Sequence, residues 1–180
     1  LQNFIECSVI RYAKNPRVAY FNRTYYLSVG GRKNFFGTMI KTAVVLAGGF
    51  GTRLQSVLPD LPKPMAPING KPFLEYLLKF LEREGIEKVV LSVGYKHEII
   101  QQHFGNNFGR ISIEYSVEDS PLGTGGGILR AANLVDEKNF FVLNGDSFFL
   151  IHLDELAKEY EENDDVKISV ALKTMKNFSR

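Results

Sequence analysis

Two cations follow the first strongly apolar run of the chain. Thr42–Gly48 reads TAVVLAG, Gly49, Gly51 and Arg53 come directly after it, and Lys63 stands between Pro62 and Pro64. Glycines placed after such a run let backbone N–H groups approach a phosphate or a flat base without side-chain obstruction. Arg53 offers a planar fork suited to two phosphate oxygens, and Lys63 offers a compact point charge. Pro62, Pro64 and Pro67 push their predecessors out of the helical region, so the spacing predicts Lys63 on extended, stiffened backbone. The bland alternative is a proline-punctuated surface loop with two solvated cations; the two motifs together in one span argue against it. Both common nucleotide motifs fail. A dinucleotide fingerprint needs glycine where Leu54 stands, and a P-loop needs Ser or Thr after Gly70-Lys71 where Pro72 stands.

Two further loops carry chemistry. Gly123-Thr124-Gly125-Gly126-Gly127 follows EDSPL and precedes a helical pattern. Its amides either meet a ligand or form a flexible tight turn. Asp146 ends VLNGD, an apolar run leading straight into a carboxylate. It either caps a turn or holds Mg²⁺, which takes a few carboxylates plus substrate phosphate oxygens. Arg53, Lys63 and Mg²⁺ on Asp146 would neutralise a triphosphate and orient its α-phosphorus for in-line attack, with pyrophosphate leaving. No nucleophilic side chain is needed, because a phosphate on a second substrate is already ionised at neutral pH.

The elements that must position these loops alternate between strand and helix from Lys41 onward. Apolar runs predict strands at Thr42–Gly48, Lys88–Tyr95, Phe140–Asp146 and Val166–Leu172, and period-two alternation predicts one at Ile111–Glu118. Phe73, Leu74, Leu77, Leu78 and Leu81 mark one face of a helix that opens at Pro72 and stops at Gly85. Further helices are predicted at His97–Phe104, in ILRAANL after the glycine loop, and at Leu153–Asn163. The fold class is therefore α/β, a Rossmann-like open and mostly parallel sheet flanked by helices. Its ligands bind beyond the carboxyl ends of the strands, where all three loops lie.

Of 22 basic and 20 acidic residues, six basic ones and the single acid Glu6 fall in residues 1–38. The remainder is mildly acidic, which excludes a basic patch for long nucleic acid there. Residues 1–38 are basic, aromatic and without a sustained period, although RVAYFNRTYYLSV alternates enough for a strand or hairpin. They read as an appendage, and the functional module is expected to start near Met39. Cys7 is the only cysteine, which points to a reducing, cytoplasmic setting. His97 and His103 fall on different faces of one helix and His152 is distant from both, so a zinc cluster is not expected. No apolar run is long enough to span a bilayer.

The run LAGGFGTRL (Leu46–Leu54), followed by LPKPMAPINGKPFLEY (Leu61–Tyr76), resembles the signature of the sugar-1-phosphate nucleotidyltransferases. The similarity continues through LSVGYKHEII, EDSPLGTGGGI and VLNGDSFF, covering about Lys41 to Arg180. Within that family the chain looks most like the bacterial D-glycero-D-manno-heptose 1-phosphate guanylyltransferases, which make activated heptose for capsule or surface-layer glycans. The resemblance implies a nucleoside triphosphate and a sugar 1-phosphate as partners, with GTP and a heptose favoured. Uridylyltransferases on other sugar 1-phosphates share the first loop, and a non-catalytic nucleotide or sugar-phosphate module stays open. It implies that Ala47, Gly48, Gly49, Gly51, Thr52, Gly123 and Thr124 contact nucleotide, that Arg53 and Lys63 grip phosphates as the catalytic cations, and that Asp146 binds Mg²⁺. The family pattern continues past the last strand seen here with a second metal-binding aspartate, so the chain is expected to be truncated at its carboxyl end. A homo-oligomer is left open.

Overall fold

Val44 and Val45 are both fully buried yet pack into different apolar clusters, one on each side of the sheet, and that alternation organises the fold. The computed structural model describes residues 5–11, 40–49, 60–161 and 167–172. In chain order these form β1 (Ile5–Arg11), β2 (Thr42–Leu46), a 3₁₀ turn (Lys63–Met65), β3 (Pro67–Ile68), β4 (Lys71–Pro72) and α1 (Phe73–Arg83). Then follow β5 (Lys88–Val93), α2 (His97–Phe104), β6 (Asn107–Phe108), β7 (Ile111–Val117), α3 (Gly123–Ala132), β8 (Asn139–Asn144), α4 (Leu153–Glu161) and β9 (Ile168–Leu172).

Among the described residues, seven strands make one sheet in the order β6-β7-β5-β2-β8-β1-β9. β7, β5, β2 and β8 are mutually parallel, β6 is antiparallel to β7, and β1 is antiparallel to both β8 and β9. Successive side chains of a strand point to opposite faces. Thus Ala43, Val45, Val89, Leu91, Phe141 and Leu143 join the cluster with α1, α2 and α4. Val44, Val90, Phe140 and Val142 join the cluster with α3. The open α/β sheet with helices on both faces matches the expectation from the sequence.

Helix α1 shows how local sequence serves this core. Leu74, Leu77, Leu78 and Leu81 recur at helical spacing and are at most 1% exposed; burying each contributes roughly 1.5–3 kcal/mol. Ahead of it, Asn69 (φ 48°) and Gly70 (φ 76°) both take left-handed backbone, the requirement of a tight β3–β4 hairpin turn. Tyr76 Oη donates to the Ile68 carbonyl at 2.9 Å and ties that hairpin to α1.

Two expectations need correction. Lys63 is not on extended backbone. It opens the 3₁₀ turn, closed by Met65 N–H to the Pro62 carbonyl at 2.8 Å and Ala66 N–H to the Lys63 carbonyl at 3.1 Å. Pro64 tolerates that turn because its fixed φ suits it and its missing donor is not required; Pro64 and Met65 bury themselves beneath it. The glycine run is not a loop before a helix, since α3 begins at Gly123 itself. Glycine is disfavoured in helices by about 1 kcal/mol relative to alanine, but a Cβ on Gly127 would sit 2.8 Å from Glu118 Oε1 and 3.1 Å from Ser92 Oγ. Close approach of the helix to the sheet therefore overrides propensity.

In the head, read from the sequence as an appendage, one element is described: β1 lies inside the sheet. Pairing partners supply what the local pattern does not show. The predicted hairpin in RVAYFNRTYYLSV lies outside the described residues. Among the described residues, no helix is long and apolar enough to cross a membrane.

Candidate active site at the carboxyl edge of the sheet

Four parallel strands end side by side, and each hands the chain to a different loop. Ala47 N–H donates to the Ser92 carbonyl at 2.7 Å, Glu118 N–H to the Val93 carbonyl at 2.7 Å, and Gly145 N–H to the Leu46 carbonyl at 2.8 Å. These bonds lash the ends of β2, β5, β7 and β8 together beyond their regular ladders. A Cβ on Gly145 would lie 2.8 Å from the Leu46 carbonyl oxygen, so only glycine fits where β8 leaves the sheet against β2.

The lashed ends surround a cavity of about 340 Å³. Ala47, Gly48, Gly49, Lys63, Gly123, Thr124 and Asp146 all line it, so seven of the sequence-derived candidates meet at one place. Gly51, Thr52 and Arg53 lie outside the described residues. Leu46, Pro64, Ser92, Glu118, Pro121 and Asn144 complete the lining.

Lys63 Nζ and Asp146 Oδ2 form an ion pair across this cavity, with side chains 37% and 34% exposed. The other carboxylate oxygen, Asp146 Oδ1, accepts from Ser147 Oγ at 3.2 Å. A half-exposed hard oxygen donor at the cavity edge fits a cation such as Mg²⁺, which takes its remaining ligands from water and phosphate. A separate group formed by Glu84, His152 and Asp154 has ligand atoms within 4.8 Å of one another but does not line this cavity. Glu84 Oε2 there accepts the Leu153 N–H at 3.0 Å and caps α4.

Glu118 is the residue that motif reading missed. Its Oε1 accepts from Ser92 Oγ at 2.9 Å and its Oε2 from Leu122 N–H at 3.1 Å, which couples β5 to the start of α3. A carboxylate directly after a period-two strand, at the ligand edge of a parallel sheet, was the available signal.

A doubly covered, mostly parallel sheet, glycines directly after its first parallel strand, and a cation and carboxylate over one cavity define an open α/β protein with its candidate site at the carboxyl edge of the sheet. The chain belongs to the nucleotidyl transferase family, whose profile matches residues 42–180. It is 49% identical over 140 residues to a D-glycero-alpha-D-manno-heptose 1-phosphate guanylyltransferase of Aneurinibacillus thermoaerophilus, covering 77% of this chain and 60% of that protein. A protein of the same description from Campylobacter jejuni is 48% identical over 138 residues, with coverage of 77% and 60%. Among solved structures, HddC from Yersinia pseudotuberculosis complexed with GMP-PN is 39% identical, with a TM-score of 0.60, over 67% of this chain and 54% of that one. The chain thus spans about 60% of the length of these curated relatives.

Proposed function

We propose that this chain carries the nucleotide-binding half of a sugar-1-phosphate nucleotidyltransferase that joins GTP and a heptose 1-phosphate. The observation that carries the reading is the meeting of Lys63 and Asp146 at the cavity that Gly48 and Gly49 also line. The named activity of the two relatives supplies the choice of base and sugar.

In this reading, Ala47, Gly48, Gly49, Gly51 and Thr52 approach the nucleotide through backbone, and Gly123 and Thr124, which also line the cavity, contact it as well. Arg53 and Lys63 neutralise the phosphates. A phosphate oxygen of the sugar 1-phosphate attacks the α-phosphorus, forming a new P–O bond. The bond to the bridging oxygen breaks in line, and its electron pair leaves with pyrophosphate. Asp146 would hold Mg²⁺, which supplies charge neutralisation on the triphosphate when bound. Lys63 then has phosphate rather than Asp146 as its partner. We place the reaction in the cytoplasm, in the setting of surface-glycan precursor synthesis.

Pyrophosphate release from GTP with heptose 1-phosphate and Mg²⁺ tests this. Release with that pair, exceeding release with UTP and glucose 1-phosphate, is expected. Preference for the uridine pair would assign a uridylyltransferase instead. A second reading is a non-catalytic binding module. It predicts calorimetric binding of GTP with no pyrophosphate from any pair.

A further inference from the structure

Phe73, the first residue of α1, is tied to both partners of the Lys63–Asp146 pair. Its backbone N–H donates to the Ala66 carbonyl at 2.9 Å, and the Ala66 N–H in turn donates to the Lys63 carbonyl at 3.1 Å. Its ring meets the ring of Phe148 edge to face, with centroids 6.5 Å apart and planes at 88°. Phe148 stands two residues after Asp146. The turn bearing Lys63 and the loop bearing Asp146 are thus held to one residue of α1.

The loop needs such a hold. Residues 145–152, between β8 and α4, form no helix or strand. At one end Gly145 N–H bonds the Leu46 carbonyl at 2.8 Å, and just past the other Leu153 N–H bonds Glu84 Oε2 at 3.0 Å. Phe148 grips in between. Phe80 lies two helical turns after Phe73, on the same face of α1. Its ring stands 5.5 Å from that of Phe148 with planes at 66°. Both separations fall in the range of edge-to-face aromatic pairs. Phe80 is 7% exposed and belongs to the main core, whereas Phe148 is 42% exposed. A ring so exposed adds less to the core than a buried one would. Its two contacts instead anchor the loop next to Asp146 onto a helix that Leu74, Leu77 and Leu81 fix in the core.

We propose that Phe73 and Phe148 are positioning residues for the candidate site, fixing Asp146 relative to Lys63 through the contact of their rings. The inference rests on the proposed reading of that pair, with the lysine on phosphate and the carboxylate on a divalent cation. It adds two residues that act only through others. Groups that bind a metal or orient a reacting phosphate must be held within a fraction of an ångström, and a displacement of about 1 Å costs up to about 100-fold. An aspartate carried on a loop takes that accuracy from whatever pins the loop.

Phe148→Ala in the full chain tests this by two measurements. Hydrogen exchange at the Gly145 amide is expected to accelerate by about 10-fold or more, while Val142 and Leu143 of β8 keep the parent's rates. A general loss of stability would move all three. Mn²⁺ affinity in the presence of GTP, read by electron paramagnetic resonance, is expected to fall by about 10-fold, and Phe148→Tyr, which restores a ring, to recover it within about 2-fold. Phe73→Leu keeps the backbone bond to Ala66 and removes only the ring. It should give defects of the same kind, and combining it with Phe148→Ala should add nothing beyond Phe148→Ala alone, since the shared contact is already gone. Unchanged Gly145 exchange in Phe148→Ala, equal acceleration throughout β8, or additive losses in the double variant overturn the proposal. Mn²⁺ binding by Asp146→Asn as tight as the parent's would overturn the metal reading of Asp146, and the Gly145 exchange alone then decides whether the rings position the loop. If Phe148→Ala does not fold, Phe73→Leu carries both measurements and decides.

Discussion

Lys63 and Asp146, 83 residues apart in the chain, form an ion pair over the cavity between β2 and β8. Both side chains are more than a third exposed or close to it, and pairs so solvated contribute only about 0–1 kcal/mol to stability. The contact therefore serves the site more than the fold. In the proposed reaction each partner has another task, the lysine on phosphate and the carboxylate on a cation.

Lys63→Ala should lower kcat for pyrophosphate release by about 100-fold or more, the range for removing a group that stabilises transition-state charge. Thermal melting should stay close to the parent, because the lost pair is weak. Unchanged kcat would remove Lys63 from the catalytic role.

Asp146→Asn should abolish tight divalent-cation binding, read by electron paramagnetic resonance with Mn²⁺ in the presence of GTP. An amide oxygen is a neutral donor and a poor replacement for a carboxylate on a hard cation. Mn²⁺ affinity equal to the parent's would reassign the metal ligand.

Gly145→Ala should destabilise the fold by about 1–3 kcal/mol in urea unfolding, the usual cost of overpacking a close contact. The added Cβ would lie 2.8 Å from a backbone carbonyl, that of Leu46, which cannot rotate away. Gly49→Ala should be nearly neutral by the same measurement, since a Cβ there meets nothing within 4 Å.

Tyr115 governs an alkaline limb of stability. Burial pushes its hydroxyl up to about 12 from 10.0, and that hydroxyl donates to the Gly105 carbonyl at 2.5 Å. The folded chain keeps a proton that the unfolded chain releases, so this contribution is whole below pH 10 and disappears as pH rises toward 12. Tyr115→Phe should unfold at lower urea at pH 8 and show a smaller further loss between pH 10 and 12 than the parent. Parallel losses in both proteins would exclude Tyr115 as the titrating group.

Much of the fold was legible because its signals are local. The leucine spacing of α1, the alternation of buried and exposed residues along β7 and the apolar runs of β2, β5 and β8 each state a periodicity within a few residues. The predicted strand ends ran one or two residues long at β2, β5, β7 and β8. The chain turns there to make the lashing bonds of Ala47, Glu118 and Gly145, which no periodicity encodes. Glu118 escaped notice for a related reason. Its partners, Ser92 and the Leu122 amide, come from separate elements, and a lone carboxylate after a strand carries no motif.

By itself the sequence determined which residues stand at the ends of buried strands, and hence that glycines, Lys63 and Asp146 would gather at the carboxyl edge of a parallel sheet. Only the tertiary structure decided that Lys63 turns on a 3₁₀ bend to meet Asp146, that α3 starts within the glycine run, and that Ile5–Arg11 stands between β8 and β9. The physical reason is that turns, helices and strands are proposed by neighbours in sequence. Which backbone pairs with which, and how closely two elements approach, is set by the packing of distant segments against one another.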